Sequence, residues 1–172
     1  MPDVRALVRK YLPDLIYGAN DGVVTTLAVI SGVVGASLST TVILVLGFAN
    51  LLADGFSMGA SNVLSRRSDS TAEALPSLLI SGRHGLATFL GFVVAGFVPL
   101  VAYLLPIGGG IRFEVAAATA LVTLFSVGAS RALFTSRGAF RAGLEMLVIG
   151  SAAAGLAYLI GAVAGHILGT TG

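Results

Sequence analysis

The sequence predicts an all-α polytopic membrane protein with five transmembrane helices. Of its 172 residues, 56% are hydrophobic and only 10% are charged, and the mean hydropathy is +0.97. Soluble domains carry roughly 25% charged residues, so this chain cannot cover a water-exposed surface. Five apolar stretches are each long enough for the ~20 residues that a helix needs to cross a bilayer. Residues 1–172 are therefore interpreted as a single transmembrane domain.

Short polar segments separate the spans, which are predicted, in chain order, at about 15–35, 41–65, 85–105, 113–134 and 143–168. A short basic segment precedes the first span and is expected to end at Pro13. An uncharged serine-rich turn joins spans one and two, and a turn with Pro106 and three glycines joins spans three and four. The longest polar interval, 66–84, is predicted to be a short cytosolic loop.

The basic residues fall almost entirely on one side of this topology. With five spans, the N-terminal segment and the loops after spans two and four share a side that carries nine of the ten Lys and Arg residues. Arg112 alone lies on the other side. Because cytosolic loops of membrane proteins carry an excess of Lys and Arg, the N-terminus is predicted to be cytosolic and the C-terminus extracytosolic.

The second span carries a polar stripe within an otherwise apolar segment. Four side chains with oxygen, nitrogen or sulfur atoms recur there at four-residue steps, which places them on one slowly drifting helix face: Asn50, Asp54, Met58 and Asn62. A carboxylate at the centre of a span costs about 2.5 to 3.5 kcal/mol on insertion scales, so such residues normally face a bundle interior or a water-filled cavity. The stripe therefore predicts one wall of a cation pathway.

The first span places Asp21 opposite this stripe. Asn20 and two glycines surround Asp21, so the helix can bend there and free backbone carbonyl groups. If spans one and two form a hairpin, Asp21 lies level with Met58, and Asp54 lies one turn deeper. Glu145 enters span five from the same side and can reach the same half of the membrane.

The resulting candidate metal ligands are Asp21, Met58, Asp54, Asn20, Asn62 and Glu145. Carboxylate, amide and carbonyl oxygens suit divalent cations, and a thioether favours a transition metal over magnesium or calcium. The expected ion is Fe²⁺ or Mn²⁺, bound as a transported substrate and not as a resident cofactor. Membrane carboxylates also serve in proton relays, so the same groups can exchange metal for protons.

Each candidate also has a structural interpretation. Methionine in a membrane helix more often packs than binds a ligand. Glu145 can pair with Arg141 near the start of span five, and Asn62 can hydrogen-bond between helices. A carboxylate such as Asp21 can likewise be bonded to a neighbouring helix. His84 falls in the predicted loop beside Arg83 and is expected to be solvated.

A resemblance to the vacuolar iron transporter family rests on DLIYGANDGVVTTLAVISGVVGA and, after a short turn, LADGFSMGASNVLS. The family's first helix carries a GANDG-type sequence and its second a Ser-Met motif, and RAGLEMLVIGSAAAGLAYLIG resembles its fifth helix. The resemblance implies a homodimer in a bacterial inner membrane or a eukaryotic vacuolar membrane. It implies export of Fe²⁺ and Mn²⁺ from the cytosol in exchange for protons, with Asp21 and Met58 as pathway ligands.

The chain departs from the family pattern in two places. Members with a Glu-rich cytosolic helical domain carry it between spans two and three, whereas interval 66–84 holds only Asp69 and Glu73. The sequence therefore resembles a shorter branch that lacks this metal-binding domain. The family also often shows Gly-Glu where this chain has Ser61 and Asn62, which implies a displaced carboxylate at Asp54.

Three other classes of protein fit the sequence less well. A proton-coupled exporter of small organic cations is expected to line its pocket with aromatic residues, but the chain has no Trp and 8% aromatic residues. A non-transporting assembly subunit fits the 23 glycines but leaves the membrane carboxylates unexplained. An enzyme is not expected, because the chain has no cysteine and no nucleophile with a positioned base. The formal charge of +2 is too small to indicate nucleic-acid binding, which leaves membrane lipid as the surrounding partner.

Overall fold

A computed structural model of the chain describes residues 4–68, 77–136 and 138–170, which form a bundle of five long helices. These are α1 (Val4–Gly35), α2 (Thr40–Ser68), α3 (Leu78–Leu104), α4 (Arg112–Ser130) and α5 (Ala139–Leu168). Short 3-10 turns lie on either side of α4, at Gly109–Ile111 and Arg131–Leu133. All five helices are long and apolar enough to cross a membrane. The described residues therefore confirm the predicted all-α fold with five spanning helices.

Helix α1 lies at the centre of the bundle and contacts each of the other four helices. Its closest neighbour is α3, because Gly18 and Gly22 press against the α3 backbone at Thr88 and Phe92. A Cβ atom at either glycine would collide with a backbone carbonyl of α3. Small residues let membrane helices approach closely in this way. The packing fixes the position of α1, and with it the two aspartates of that helix.

Helix α2 is packed on one side only. Its buried residues form a single stripe against α3, made of Ile43, Gly47, Leu51, Gly55 and Gly59. Leu51 packs beside Phe92 and Leu100 in a core of buried apolar side chains. The polar side chain of Asn62 also reaches α3, whereas both Asp54 and Ser57 are exposed on the surface of the single chain.

Two predicted boundaries differ from the structure at the ends of the helices. Pro13 does not end a separate segment, because α1 runs through it from Val4. A proline inside a membrane helix removes one backbone hydrogen bond, which neighbouring helices and side chains can compensate. The second difference is at α3, which begins at Leu78, whereas the third span was predicted to begin at about residue 85. The Ser77 hydroxyl caps this helix by accepting a hydrogen bond from the amide of Ile80.

The interval 66–84 is therefore helical at both ends, and its central residues 69–76, which include Asp69 and Glu73, lie outside the described part of the chain. We use the term basic end for the end of the bundle that holds Arg9, Arg66, Arg83, Arg131 and Arg141.

Candidate functional site

The carboxylate of Asp14 joins three helices at the basic end. It is only 5% exposed, and it accepts hydrogen bonds from side chains of α2 and α3. The Asn62 amide nitrogen lies 2.9 Å from Oδ1, and Nη2 of Arg66 lies 2.8 Å from the same oxygen. Nδ1 of His84 lies 2.5 Å from Oδ2 and serves as the donor, since an ionised carboxylate can only accept. A buried charge is stabilised by this kind of pairing and hydrogen bonding.

The side chain of Asn62 organises the α2 part of this cluster. Its amide nitrogen also donates to the Thr88 hydroxyl at 2.9 Å, and its carbonyl oxygen accepts from Nε of Arg66 at 2.9 Å. The Thr88 hydroxyl in turn donates to the His84 backbone carbonyl at 3.2 Å. Asn62 is thus oriented by α1, α3 and its own helix. Its structural interpretation as an interhelical hydrogen-bonding residue agrees with these contacts.

The sequence predicted that His84 is solvated in a loop, and this prediction was wrong. His84 lies within α3, is 6% exposed, and its ring packs 4.7 Å from that of Tyr11. The expectation was wrong because α3 begins earlier than the predicted third span and carries the residue into the bundle. A sequence signal was available, since Ser81, His84 and Thr88 recur at helical spacing. In the structure all three are buried.

A cavity of about 510 Å³ opens beside this cluster, between α1 and α2, and we call it the α1–α2 cavity. Its walls are formed by Tyr17, Met58, Ser61, Asn62, Ser65 and Arg66. The thioether of Met58 therefore shares one cavity with the amide of Asn62, as the four-residue spacing on α2 predicts. Hydroxyl, amide and guanidinium groups make this cavity polar on the α2 side.

A second cavity of about 480 Å³ lies on the other side of Tyr17, and we call it the α1–α5 cavity. Asp21 and Asn20 line it together with Met146 and Arg131. The side-chain oxygen Oδ1 of Asn20 is buried and lacks a hydrogen-bond partner among the described residues. The cavity therefore presents carboxylate, amide and thioether groups near one another.

Asp21 and Asp54 are both exposed on the single chain, and their charges are close enough to repel each other directly. Met58 lies one helical turn from Asp54 towards the basic end. Met58 lines the α1–α2 cavity, Asp21 lines the α1–α5 cavity, and Asp54 lies on the exposed surface of α2. Glu145 is exposed on α5, and its neighbour Met146 is the α5 residue that lines the cavity of Asp21.

No group of three or more His, Asp or Glu side chains able to hold a metal ion occurs within the described ranges. The candidate thioether and amide ligands are instead divided between the two cavities, each of which contains one thioether and at least one amide.

These features define an integral membrane protein with ionisable and thioether side chains along a contact between two spanning helices. The chain belongs to the VIT family, whose profile matches residues 12–77 and 78–162. The two matched pieces meet at the interval between α2 and α3, where the resemblance placed the missing cytosolic domain. The assignment confirms the family resemblance and the expectation of a membrane transporter, not an enzyme.

Curated relatives match over most of the chain. A vacuolar iron transporter of Plasmodium falciparum (isolate 3D7) is 25% identical over 227 positions, covering 91% of this chain and 83% of the relative. Vacuolar iron transporter homolog 5 of Oryza sativa subsp. japonica is 27% identical over 165 residues, covering 87% of this chain and 78% of the relative. A vacuolar iron transporter of Toxoplasma gondii is 44% identical over 55 residues, covering 32% of this chain and 18% of the relative.

We predict that His84→Ala lowers the melting temperature of the purified protein in detergent. The change leaves Oδ2 of the buried Asp14 without its donor, and an unsatisfied buried group costs about 1 to 3 kcal/mol, or more when it is charged. His166→Ala is the matched control, because His166 is exposed at the end of α5. Equal melting temperatures for the two variants would contradict a supporting role of His84 at Asp14.

Proposed function

We propose that the protein exports Fe²⁺, and Mn²⁺ as a second substrate, from the cytosol in exchange for protons. The observation that carries this proposal is that the like charges of Asp21 and Asp54 are close enough to interact, with Met58 one turn from Asp54 along α2. The family membership and the relatives named as vacuolar iron transporters support the same substrate class. The basic end of the bundle would face the cytosol.

The ligand chemistry along α1 and α2 supports a borderline divalent cation. Carboxylate and amide oxygens bind Fe²⁺ and Mn²⁺, and the thioether of Met58 adds a softer ligand that magnesium and calcium do not favour. Asp21 and Asp54 carry charges of the same sign that repel each other, and such repulsion is weakened less in protein than in bulk water. Either a divalent cation or protons can relieve it, so binding of one displaces the other.

The homodimer proposed for this function would complete the surroundings of these carboxylates. Asp54, Ser57 and Ser61 are exposed on a face of α2 that the other described residues leave uncovered. A charged side chain in contact with lipid is unfavourable, and membrane carboxylates normally face protein or water. A second copy on this face would replace lipid with polar groups, and the small serines would permit close approach. Metal bound at Asp54 would then lie near the contact between the two copies.

We predict that Asp21→Ala abolishes Mn²⁺ uptake into proteoliposomes that contain the purified protein and a pH gradient. The change removes one of the two carboxylates that would hold the ion. Glu114→Ala is the matched control, because Glu114 is an exposed acidic residue in the first turn of α4. Wild-type uptake by folded Asp21→Ala protein would overturn the proposed site, and absence of uptake of Fe²⁺ and Mn²⁺ by the wild-type protein would overturn the proposed function.

A second prediction concerns metal preference. Met58→Leu retains the volume and hydrophobicity of the side chain but removes the sulfur ligand. We expect this variant to lose uptake of Fe²⁺ and Co²⁺ more than uptake of Mn²⁺, because Mn²⁺ depends least on soft ligands. The measurement is competitive uptake of the three ions by the same vesicles. Equal reduction for all three ions would show that Met58 packs in the wall without selecting the metal.

The third prediction tests the homodimer. Light scattering of the purified protein in detergent is expected to give a protein mass of twice 17.3 kDa. Ser57→Phe should reduce this mass to that of one chain, because it places a bulky ring on the small-residue face of α2. Val122→Phe is the control, since Val122 is 68% exposed on α4, away from that face. A monomeric wild-type protein that still transports metal would contradict the dimer alone.

A further inference from the structure

We propose that Arg66 is a tethered internal cation that occupies a divalent-cation site formed by oxygens of Asp14 and Asn62 at the basic end of the α1–α2 cavity. The inference rests on the proposed transport function, to which it adds a first binding position and a residue that controls its use. Asp14 and Arg66 are absent from the ligands expected from the sequence. Three observations carry the proposal: the bridging geometry of the guanidinium, its exposure, and the cavity beside it.

The guanidinium of Arg66 bridges two oxygens as a metal ion would. Nη2 lies 2.8 Å from Oδ1 of Asp14, and Nε lies 2.9 Å from the carbonyl oxygen of Asn62. Both oxygens thus face the same positive group from two different helices. Carboxylate and amide oxygens are the ligands that hard and borderline divalent cations use in proteins. Removal of the guanidinium would leave two converging oxygen ligands and the space that it fills.

The remaining hydrogen bonds keep both ligands in place when Arg66 departs. Oδ2 of Asp14 stays bonded to His84, and Oδ1 keeps its bond from the Asn62 amide nitrogen. That nitrogen also remains bonded to the Thr88 hydroxyl. The carboxylate and the amide are therefore positioned by α3, independently of the arginine. The site is organised in advance, which limits the ordering cost of binding an ion.

Arg66 has a path by which to leave. Its side chain is 41% exposed, whereas that of Asp14 is 5% exposed, so the guanidinium covers the carboxylate from the open side. Arg66 and Asn62 both line the α1–α2 cavity, which also contains Met58. An ion that displaces the guanidinium at Asp14 would enter the same cavity as the Met58 thioether, which lies one helical turn from Asn62 along α2. Release of Arg66 would thus open the way from the basic end towards Met58.

A tethered competitor weakens binding in inverse proportion to the fraction of molecules in which it has left the site. If Arg66 is displaced in about a tenth of the molecules, the apparent affinity is about tenfold weaker than the intrinsic affinity of the oxygens. The arginine therefore sets a threshold of metal concentration below which the site stays closed. Interval 66–84 holds only two acidic residues, in place of a cytosolic metal-binding domain. The membrane domain itself would therefore set this threshold.

The test is a Mn²⁺ titration of the purified protein in detergent, with binding followed by the loss of the free-ion paramagnetic resonance signal. Arg66→Gln should bind one additional Mn²⁺ per chain, or the first Mn²⁺ with a dissociation constant about tenfold lower than the wild-type value. Arg66→Lys should fall between the two, because an ammonium group cannot bridge both oxygens as the planar guanidinium does. Arg83→Gln, which removes an exposed cation from the same end, should match the wild type.

The double variant Asp14→Asn/Arg66→Gln identifies the ligand, because it retains the shape of the site and removes its charge. It should lose the gain seen with Arg66→Gln while keeping the melting temperature of a folded protein. Unchanged Mn²⁺ affinity in folded Arg66→Gln protein would overturn the proposal and leave Arg66 as a structural partner of Asp14. A gain that persists in the double variant, or that Arg83→Gln reproduces, would also overturn it.

This titration separates the inference from the proposed function. Loss of Mn²⁺ uptake in Asp21→Ala vesicles together with unchanged binding in Arg66→Gln would reject the tethered cation and retain the transporter. Tighter binding in Arg66→Gln without uptake of any tested ion by the wild-type protein would retain the cation site and reject transport of these ions.

Discussion

The buried carboxylate of Asp14 is the constraint on which the arrangement of the basic end depends. A carboxylate inside a helix bundle must be paired and hydrogen-bonded, because its desolvation is otherwise prohibitive. Donors from α2 and α3 meet this requirement at two different oxygens of the same group. The relative positions of three helices are thereby tied to one side chain. Gly18 and Gly22 contribute by letting α1 approach α3 closely enough for these bonds to form.

Asp14 and Asp21 show how environment separates two like residues of one helix. They lie seven residues apart on nearly the same face of α1, yet Asp14 is enclosed by α2 and α3 while Asp21 remains exposed. Asp14 is neutralised within the chain by Arg66, whereas Asp21 lies near a second carboxylate, Asp54. A group with unrelieved repulsion can attract a cation directly, whereas a paired group can bind one only when its internal partner is displaced. This difference is why the proposed transport site is at Asp21 and the proposed control is at Asp14.

Helical spacing on α2 predicted much of the site, because residues four apart share a face in any straight helix. Met58 and Asn62 accordingly line one cavity. The same reasoning did not anticipate Met146 in the cavity of Asp21, since only the rotation of α5 decides which of two adjacent residues points inward. It also misjudged His84, whose environment depends on where α3 begins and on its packing against Tyr11.

Five membrane-spanning helices could be predicted from the sequence, because hydropathy and segment length act locally along the chain. Helical spacing likewise predicted which side chains share a face of each helix, and the motifs indicated the family. Which of these faces meet depends instead on how the helices pack. The bonds from Asn62, Arg66 and His84 to Asp14 span 48 to 70 residues of chain, and helix packing alone brings such distant groups together. That packing pairs a basic residue at the end of α2 with the buried Asp14 beside the α1–α2 cavity.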